Sequence, residues 1–342
     1  MRFQDYIATA PKAELHLHLQ GSIRPATLLE LARQHAIQLP VEDVAGLSHW
    51  FQFRDFAHFV EVYALLRACL VEPADYELVT HELGAELAAQ NVRYAEVTFT
   101  PGPEVYQRSR ETFFDGLTRG RQRVRQDFGL ELRWIFDIPR RTVTLHPDLP
   151  LTDFITDMAI NGRHDGVVAL GLAGTENGYP PQVFERWFDR ARAAGLHSAP
   201  HAGETAGVDS IWGAINALGA ERLGHGVRAV EDDDLLAYLV EHHMGLEVCP
   251  TSNVRLGVYP SLAEHPFARL HDAGALVTIN TDTPAIFDIT LTEELSRLDS
   301  SFGLERRAVE QVMLNAFEAA FLAPEERDAL LLSAHAELEA RR

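Results

Sequence analysis

The chain has 342 residues, 46% of them hydrophobic, which is enough to bury a large core as one α/β barrel or as two ordinary domains. Its 30 basic and 50 acidic residues give a net charge of −20, which argues against nucleic acid and membrane surfaces as partners and favours a small ligand. The sequence has no run of about 18 apolar residues and no secretory signal pattern, and its two cysteines are too few for a disulfide framework, so we expect a cytoplasmic protein.

Eight strand-like segments alternate with segments of helical period along the chain. Runs rich in β-branched and apolar residues predict strands over 13–19, 92–100, 130–138, 166–173, 196–203, 221–227, 244–250 and 275–282. Amphipathic spacing predicts helices between them, such as 75–91, 181–195 and 265–274, each ending at Gly or Asn.

Two longer helical segments complete the predicted architecture. Residues 25–75 contain no strand and are predicted to form an insertion after the first strand, and residues 305–341 a helical tail after the eighth. Eight strands, each followed by a helix, predict a (β/α)8 TIM barrel of the α/β class. Because no linker or internal repeat is present, residues 1–342 are treated as one domain.

Histidines and an acidic residue stand where the predicted strands end. His16 and His18 lie two residues apart in the first strand, so their side chains share one face. His201, His225 and Asp282 stand at or within two residues of the ends of the fifth, sixth and eighth strands. Active sites of (β/α)8 barrels lie at the C-terminal ends of the strands, so these side chains are predicted to meet there.

Each of these residues also has an ordinary structural interpretation. His16 and His18 form a short pattern that occurs by chance on half-exposed edge strands. His201 alone fits a histidine at the margin of the core, and Asp282 alone fits a turn or a helix cap. Together they favour a metal site, because three neutral imidazoles and one carboxylate suit Zn²⁺ and leave a position for water.

Short motifs occur in order over nearly the whole chain: PKAELHLHLQGSIRP (11–25), LAG followed by TE (172–176), HAGE (201–204), RLGHGVR (222–228), EVCPTSNV (247–254) and TINTDTP (278–284). This set resembles the adenosine deaminase family of the amidohydrolase superfamily. The residues that correspond to the ligands of one catalytic zinc are His16, His18, His201 and Asp282. The resemblance also implies that Glu204 donates a proton to the purine ring, that His225 orients the attacking hydroxide, and that Gly174 contacts the purine through its backbone.

The expected reaction replaces an aromatic amine by oxygen. Zinc supplies a nucleophile for it at neutral pH by lowering the pKa of bound water towards ~7. Attack at purine C6 moves negative charge to ring N1, where a protonated Glu204 neutralises it. The ordinary alternative for Glu204 is a residue that satisfies backbone amides at the start of a helix. His225 is expected to hold the water and remove its proton, and ammonia leaves when the adduct collapses.

Two positions depart from the adenosine-specific pattern and bear on the substrate. Gln20 and Thr283 stand where such members usually have Asp, one contacting the 5′ hydroxyl of the sugar and the other purine N7; both can still hydrogen-bond. We expect a purine nucleoside and water as the small-molecule partners, with adenosine as the simplest substrate. The alternatives are 6-aminodeoxyfutalosine, an adenine nucleoside enlarged at its 5′ end, and then free adenine.

Other features are left open by the residues alone. An inactive barrel that binds nucleosides is the non-enzymatic alternative, although such a protein has no chemical need to keep an acid beside a metal set. A homo-oligomer also stays open. The predicted insertion is expected to supply a hydrophobic wall over the barrel mouth that includes some of Phe51, Phe53, Phe56 and Phe59. Arg54 and Arg255 are candidates to bind a carboxylate on an enlarged substrate.

Overall fold

Eight parallel strands form a nearly closed barrel in the computed structural model, which describes residues 3–106, 110–145 and 150–341. The strands are β1 Lys12–His18, β2 Val92–Phe99, β3 Glu131–Pro139, β4 Val167–Ala173, β5 His197–Ala202, β6 Arg222–His225, β7 Gly245–Val248 and β8 Val277–Ile279. Each strand pairs with the next one along the chain. Asp282, just after β8, joins β1 through hydrogen bonds from Asp282 N to His16 O (3.0 Å) and from His18 N to Asp282 O (2.7 Å). The predicted TIM barrel is confirmed.

The strands are buried on both faces, which explains their nearly continuous apolar sequences. Every residue of β1, β6 and β7 is buried. Helices cover the outer face of such a barrel and side chains fill its interior, so polar residues in these strands stand out. All eight predicted strands are present, with ends that differ from the prediction by at most three residues.

The predicted insertion lies between β1 and β2 and is helical. After α1 Phe3–Thr9 and β1 come α2 Pro25–Gln34, α3 Val44–Phe51, α4 Phe56–Ala68 and α5 Pro73–Ala89. Asp43 and Asp55 cap α3 and α4 by accepting hydrogen bonds from backbone N–H groups of the first turn. The Asp55 cap therefore fixes the start of α4, a helix that contributes residues to the functional site.

The remaining helices follow the strands in turn. They are α6 Pro103–Tyr106, α7 Arg110–Phe128, α8 Thr142–Leu145, α9 Leu151–Asn161, α10 Glu185–Ala193, α11 Val208–Leu218, α12 Asp233–Glu241, α13 Pro250–Arg255, α14 Phe267–Asp272, α15 Pro284–Phe287, α16 Leu291–Ser300, α17 Arg306–Glu318 and α18 Pro324–Ala340. The predicted helix 181–195 begins as a 3₁₀ turn before α10, and the predicted tail is divided into α17 and α18. No helix among the described residues is long and apolar enough to cross a bilayer.

A buried ion network crosses the interior of the barrel. Arg222 of β6 binds both Glu96 of β2 and Glu247 of β7, and all three side chains are almost completely buried. The segment between α17 and α18 joins this network, because Phe321 N donates to Glu96 Oε1 (2.6 Å) and Arg222 donates to Ala319 O (2.7 Å). Pairing of this kind offsets part of the cost of burying these charges.

Candidate active site

Three histidines converge at the C-terminal ends of β1 and β5. Side-chain nitrogens of His16, His18 and His201 lie within 4.8 Å of one another, and all three residues are buried. His18 Nε2 and His201 Nε2 face each other at 3.3 Å although their strands are not neighbours. Within the described parts of the chain, this is the one group of His, Cys, Asp or Glu side chains with the geometry of a metal site.

Asp282 brings a carboxylate to the same point. Its Oδ1 lies 3.4 Å from His18 Nε2 and 3.9 Å from His16 Nε2, while its Oδ2 accepts a hydrogen bond of 2.5 Å from Ser252 Oγ. The Asp282 backbone has φ = 65°, in the left-handed region that non-glycine residues seldom adopt. Backbone strain of this kind concentrates at functional sites, and here it accompanies a carboxylate aimed at the histidines.

These four side chains fit a divalent cation. Burial and the neighbouring histidines hold the pKa values of His16 and His201 well below the usual value, and lower that of His18 to about 3, so the imidazoles are neutral, as metal ligands are. His16 Nε2 is buried without a hydrogen-bond partner among the described residues. A cation between these nitrogens would satisfy them, and three nitrogens with one carboxylate leave a position for water.

Glu247 supports the first of the imidazoles. Its Oε2 lies 2.6 Å from His16 Nδ1, which directs the other ring nitrogen towards the cluster. The other oxygen of Glu247 binds Arg222, so the support belongs to the ion network that also holds Glu96. The barrel interior therefore fixes the orientation of His16.

Asp137, near the end of β3, faces the histidine of β5. Asp137 Oδ2 lies 3.8 Å from His201 Nδ1. Neither carboxylate oxygen has a hydrogen-bond partner within the described residues, and burial raises the pKa of Asp137 well above its usual value. Gly171 makes room for this carboxyl group, because a Cβ at that position would collide with Asp137 Oδ1.

Glu204 lies beside His225 at the edge of the cluster. Its Oε1 is 3.7 Å from His225 Nε2. Burial, reinforced by the charge of Glu176 and opposed by a hydrogen bond from Asn253, raises the pKa of Glu204 to about 8. The carboxyl group therefore holds a proton at neutral pH, the form that a proton donor requires.

A second glutamate fixes the turn that carries Glu204. Glu176, which follows β4, accepts hydrogen bonds from the backbone N–H groups of residues 203–206 and from the Ser210 hydroxyl. Burial alone would raise the pKa of Glu176, but these hydrogen bonds and the charge of Arg140 outweigh it and lower the pKa. One glutamate is thus ionised and structural, and its neighbour is neutral and faces the cluster.

A cavity of about 310 Å³ opens onto the cluster. We call the floor of this cavity the group of residues at the strand ends, namely His16, His18, Gly174, His201, Glu204, His225, Asp282 and Thr283, all of which except His16 line the cavity. We call the outer wall the residues that α4, α8 and the turn before α8 contribute, namely Phe59, Val60, Tyr63, Arg67, Arg141 and Leu145. Polar groups converging in a mostly apolar pocket are typical of a small-molecule site.

Two of the three predicted substrate-binding residues line this cavity. Gly174, with φ = 92°, and Thr283 are among its lining residues, and Thr283 Oγ1 is buried without a partner within the described residues. Gln20 is completely buried behind the lining: its Nε2 donates to Thr100 O (3.1 Å) and its Oε1 accepts from Tyr63 OH (3.2 Å). The structure therefore places Tyr63 at the cavity where we expected Gln20.

The predicted phenylalanine wall is present in part. Phe59 lines the cavity. The ring of Phe53 packs against the ring of Phe59, with 5.3 Å between the two ring centroids. Phe51 is buried in the core, and the side chain of Phe56 lies outside the described side chains.

The arginines at the cavity are Arg67, Arg140 and Arg141, and neither Arg54 nor Arg255 lines it. Among them, Arg140 is buried and donates hydrogen bonds to the backbone oxygens of His201 and Tyr179, both at 2.6 Å. Its role is therefore structural. The sequence offered no way to place Arg67 and Arg141, because neither stands in one of the motifs.

The adenosine deaminase family model matches residues 11–336, which include all eight strands and both sides of the cavity. The chain belongs to the adenosine deaminase family. This family consists of metal-dependent amidohydrolases, so the protein is a hydrolytic deaminase. The metal-site geometry at the strand ends agrees with membership of this family.

Relatives within the adenosine deaminase family differ in the purine that their names give. Aminodeoxyfutalosine deaminase of Streptomyces avermitilis is 42% identical over 93% of this chain and 88% of the relative. Adenosine deaminase of Edwardsiella ictaluri is 35% identical over 94% of this chain and 96% of the relative. A solved amidohydrolase structure from Burkhoderia ambifaria, with bound Zn, is 26% identical with a TM-score of 0.89, over 99% of this chain and 94% of that one.

Sequence reasoning did not single out the residues that hold the predicted site in place. Glu247 and Asn253 stand in the EVCPTSNV motif, but the motif does not show what their side chains contact. Asp137 is an acidic residue inside a buried strand, which is a signal in itself because an unpaired charge is costly there. Glu176 follows Gly174 by two residues, and only its contacts show what it does.

Proposed function

We propose that this deaminase acts on a 6-aminopurine nucleoside with a large, negatively charged 5′ substituent, and that its substrate is 6-aminodeoxyfutalosine. The observation that carries the proposal is the outer wall of the cavity, where apolar side chains stand beside arginines. Adenosine ends at its 5′ side in a small neutral hydroxyl group and would leave the arginines of this wall without an anionic partner. The 42% identity to the Streptomyces avermitilis enzyme supports the same substrate.

The position of Gln20 supports an enlarged substrate. In the family pattern this position usually carries an Asp that contacts the 5′ hydroxyl. Both polar groups of the Gln20 amide are used by Thr100 and Tyr63, so the amide holds the Tyr63 hydroxyl instead of reaching the cavity. The 5′ side is then free of a carboxylate that would repel an anionic group.

Arg141 is the better placed of the two outer-wall arginines to bind such a group. Its side chain is exposed and makes no hydrogen bond or ion pair with the described residues. Arg67, on α4, adds a second positive charge to the wall. A guanidinium group binds a carboxylate through two parallel hydrogen bonds, which gives both affinity and orientation.

We further propose that the metal is zinc, held by the side chains of His16, His18, His201 and Asp282. Support comes from the donor set, which suits zinc, and from the zinc in the Burkhoderia ambifaria structure. When bound, zinc lowers the pKa of water towards ~7 and so supplies the nucleophile at neutral pH.

The floor residues perform the other parts of the reaction. As water adds to purine C6, negative charge moves to ring N1, and Glu204 donates its proton there. The Thr283 hydroxyl, which lacks a protein partner among the described residues, donates to purine N7. Gly174 meets the purine edge with its backbone. Of the two protons of the water, one restores the carboxyl group of Glu204 and the other passes to the amine, which leaves as ammonia when the bond between C6 and nitrogen breaks.

A substrate panel tests the proposal. The purified protein is supplied with 6-aminodeoxyfutalosine, adenosine and adenine, and kcat/KM is measured from the loss of adenine absorbance. We expect 6-aminodeoxyfutalosine to be preferred by at least about tenfold, the difference that one well-placed ion pair provides. Adenosine is the second candidate, favoured by the 35% identity to the Edwardsiella ictaluri enzyme. Rapid turnover of adenosine with none of the enlarged nucleoside would select adenosine.

A further inference from the structure

Three hydrogen bonds connect the backbone of α14 to His225. Phe267 N donates to His265 Nδ1 at 3.1 Å, His265 Nε2 lies 3.1 Å from Asn253 Oδ1, and Asn253 Nδ2 lies 3.2 Å from His225 Nδ1. The side chains of His265, Asn253 and His225 are all buried. Neither His265 nor Asn253 lines the cavity. We call these three bonds the relay.

The direction of each bond in the relay follows from its first donor. A backbone N–H can only donate, so His265 Nδ1 must accept and carries no proton. Burial lowers the pKa of His265 to about 4, so its ring is neutral and its single proton is on Nε2. That proton is donated to Asn253, whose oxygen must therefore face His265 and whose NH₂ group must face His225. His225 Nδ1 is thus an acceptor.

We propose that Asn253 and His265 are positioning residues that hold neutral His225 in the tautomer with its proton on Nε2. The protonated Nε2 is the nitrogen that faces the floor of the cavity, 3.7 Å from Glu204 Oε1. That oxygen is buried and has no hydrogen-bond partner within the described residues. His225 therefore meets the reacting groups as a hydrogen-bond donor.

This tautomer changes the task that the sequence suggested for His225. A nitrogen that already carries a proton cannot accept another from the attacking water. Because its Nε2 carries a proton, His225 can orient the attacking water by donating a hydrogen bond to the water oxygen. The tautomer of a catalytic imidazole decides which of its nitrogens can donate in this way. The inference rests on the deaminase activity of the family and is independent of which nucleoside is the substrate.

The tautomer is measured directly in the wild-type holoprotein. The protein is labelled with ¹⁵N-histidine, and the two ring nitrogens of His225 are identified by the signals that disappear in the variant His225→Gln. We expect Nε2 to show the signal of a protonated nitrogen and Nδ1 that of an unprotonated one. The reverse pattern, or two protonated nitrogens at neutral pH, would overturn the proposal without any assay of substrate.

Matched variants of His265 test the relay itself. His265→Leu keeps an approximately equal volume but removes both the acceptor and the donor, so Asn253 can turn and His225 should show both tautomers. We expect kcat to fall at least about tenfold with little change in KM, because orientation of the nucleophile is lost while binding is kept. His265→Gln offers an oxygen to Phe267 N and an NH₂ group to Asn253, and should restore both the single tautomer and kcat.

Two results with these variants would contradict the relay. One is a folded His265→Leu protein, with normal metal content, that keeps the wild-type tautomer and kcat. The other is a His265→Gln protein as impaired as His265→Leu, which would mean that only the ring itself matters. If His265→Leu does not fold, the wild-type spectrum alone decides the tautomer.

Discussion

The floor of the cavity and its outer wall are built in different ways. Floor residues stand at the ends of strands, and buried side chains hold them, as Glu247 holds His16 and Glu176 holds the turn of Glu204. Outer-wall residues stand on α4, on α8 and on the turn that precedes α8, and some are exposed, such as Val60 at 42% and Leu145 at 53%. A fixed floor maintains one reaction, whereas residues of an exposed wall can vary without disturbing the barrel. Under the proposed function, the floor carries out the chemistry and the wall selects the nucleoside.

The largest effect should come from removing one of the proposed metal ligands of the floor. His201→Ala should reduce kcat/KM by more than about 10³-fold for every substrate, because the nucleophile is no longer activated. The matched control is His197→Ala in the same strand, whose exposed imidazole packs against Phe321 away from the cavity. Steady-state kinetics and metal analysis of both variants check this. If His201→Ala lacks metal but keeps normal activity, the floor does not hold a metal that activates the nucleophile.

Replacing Glu204, the proposed proton donor, should lower the rate nearly as much while leaving the metal in place. Glu204→Gln cannot give up a proton, so kcat should fall by about 10²–10⁴-fold with a normal metal content. Asp209→Asn, a change of a nearby acidic residue at the start of α11, should have little effect. If Glu204→Gln changes KM alone, Glu204 binds the purine but does not transfer a proton to it.

The pH dependence of the reaction should report the same group. The pKa of Glu204 is raised to about 8, so the carboxyl group is protonated below that pH and loses its proton above it. Because the protonated form is the donor, kcat/KM should fall as the pH rises through about 8. Rate profiles between about pH 6 and pH 10 test this, and the residual rate of Glu204→Gln should lack the fall. A rate that keeps increasing through that range would refute the assignment.

Removing the carboxylate that orients His16 should have a smaller effect, and this effect should be on metal affinity alone. Glu247→Gln and Glu96→Gln each remove one carboxylate from Arg222, but only Glu247 contacts His16. Metal affinity, measured by competition with a chelator, should fall by about 10–100-fold in Glu247→Gln and much less in Glu96→Gln. Equal losses in the two variants would mean that the ion network acts only through the stability of the barrel.

The smallest effect, and the one specific to a substrate, should arise in the outer wall. Arg141→Ala should raise KM for 6-aminodeoxyfutalosine by about tenfold, the contribution of one partly exposed charged hydrogen bond, and leave adenosine kinetics unchanged. Arg54→Ala, outside the cavity lining, is the matched control. A loss shared by both substrates would show that Arg141 supports the structure of the wall and does not recognise an anion.

The same comparison explains how far the sequence could be interpreted. The strands and the floor could be predicted, because β1 places His16 and His18 on one face and because strand ends meet at one rim of a barrel. The wall could not, since which side chains of α4 point into the cavity depends on how four inserted helices pack. Gln20 shows this most clearly: its position in the motif suggested a substrate contact, but its amide is used by Thr100 and Tyr63.

The central claim is that one metal ion at the floor makes this barrel a deaminase. The most direct test is to remove the metal with a chelator and to titrate the protein with Zn²⁺ while ammonia release from a 6-aminopurine nucleoside is measured. Activity should be absent at first, rise in proportion to added zinc and reach its maximum at one ion per chain. Full activity without metal, or a maximum only at two ions per chain, would contradict the claim.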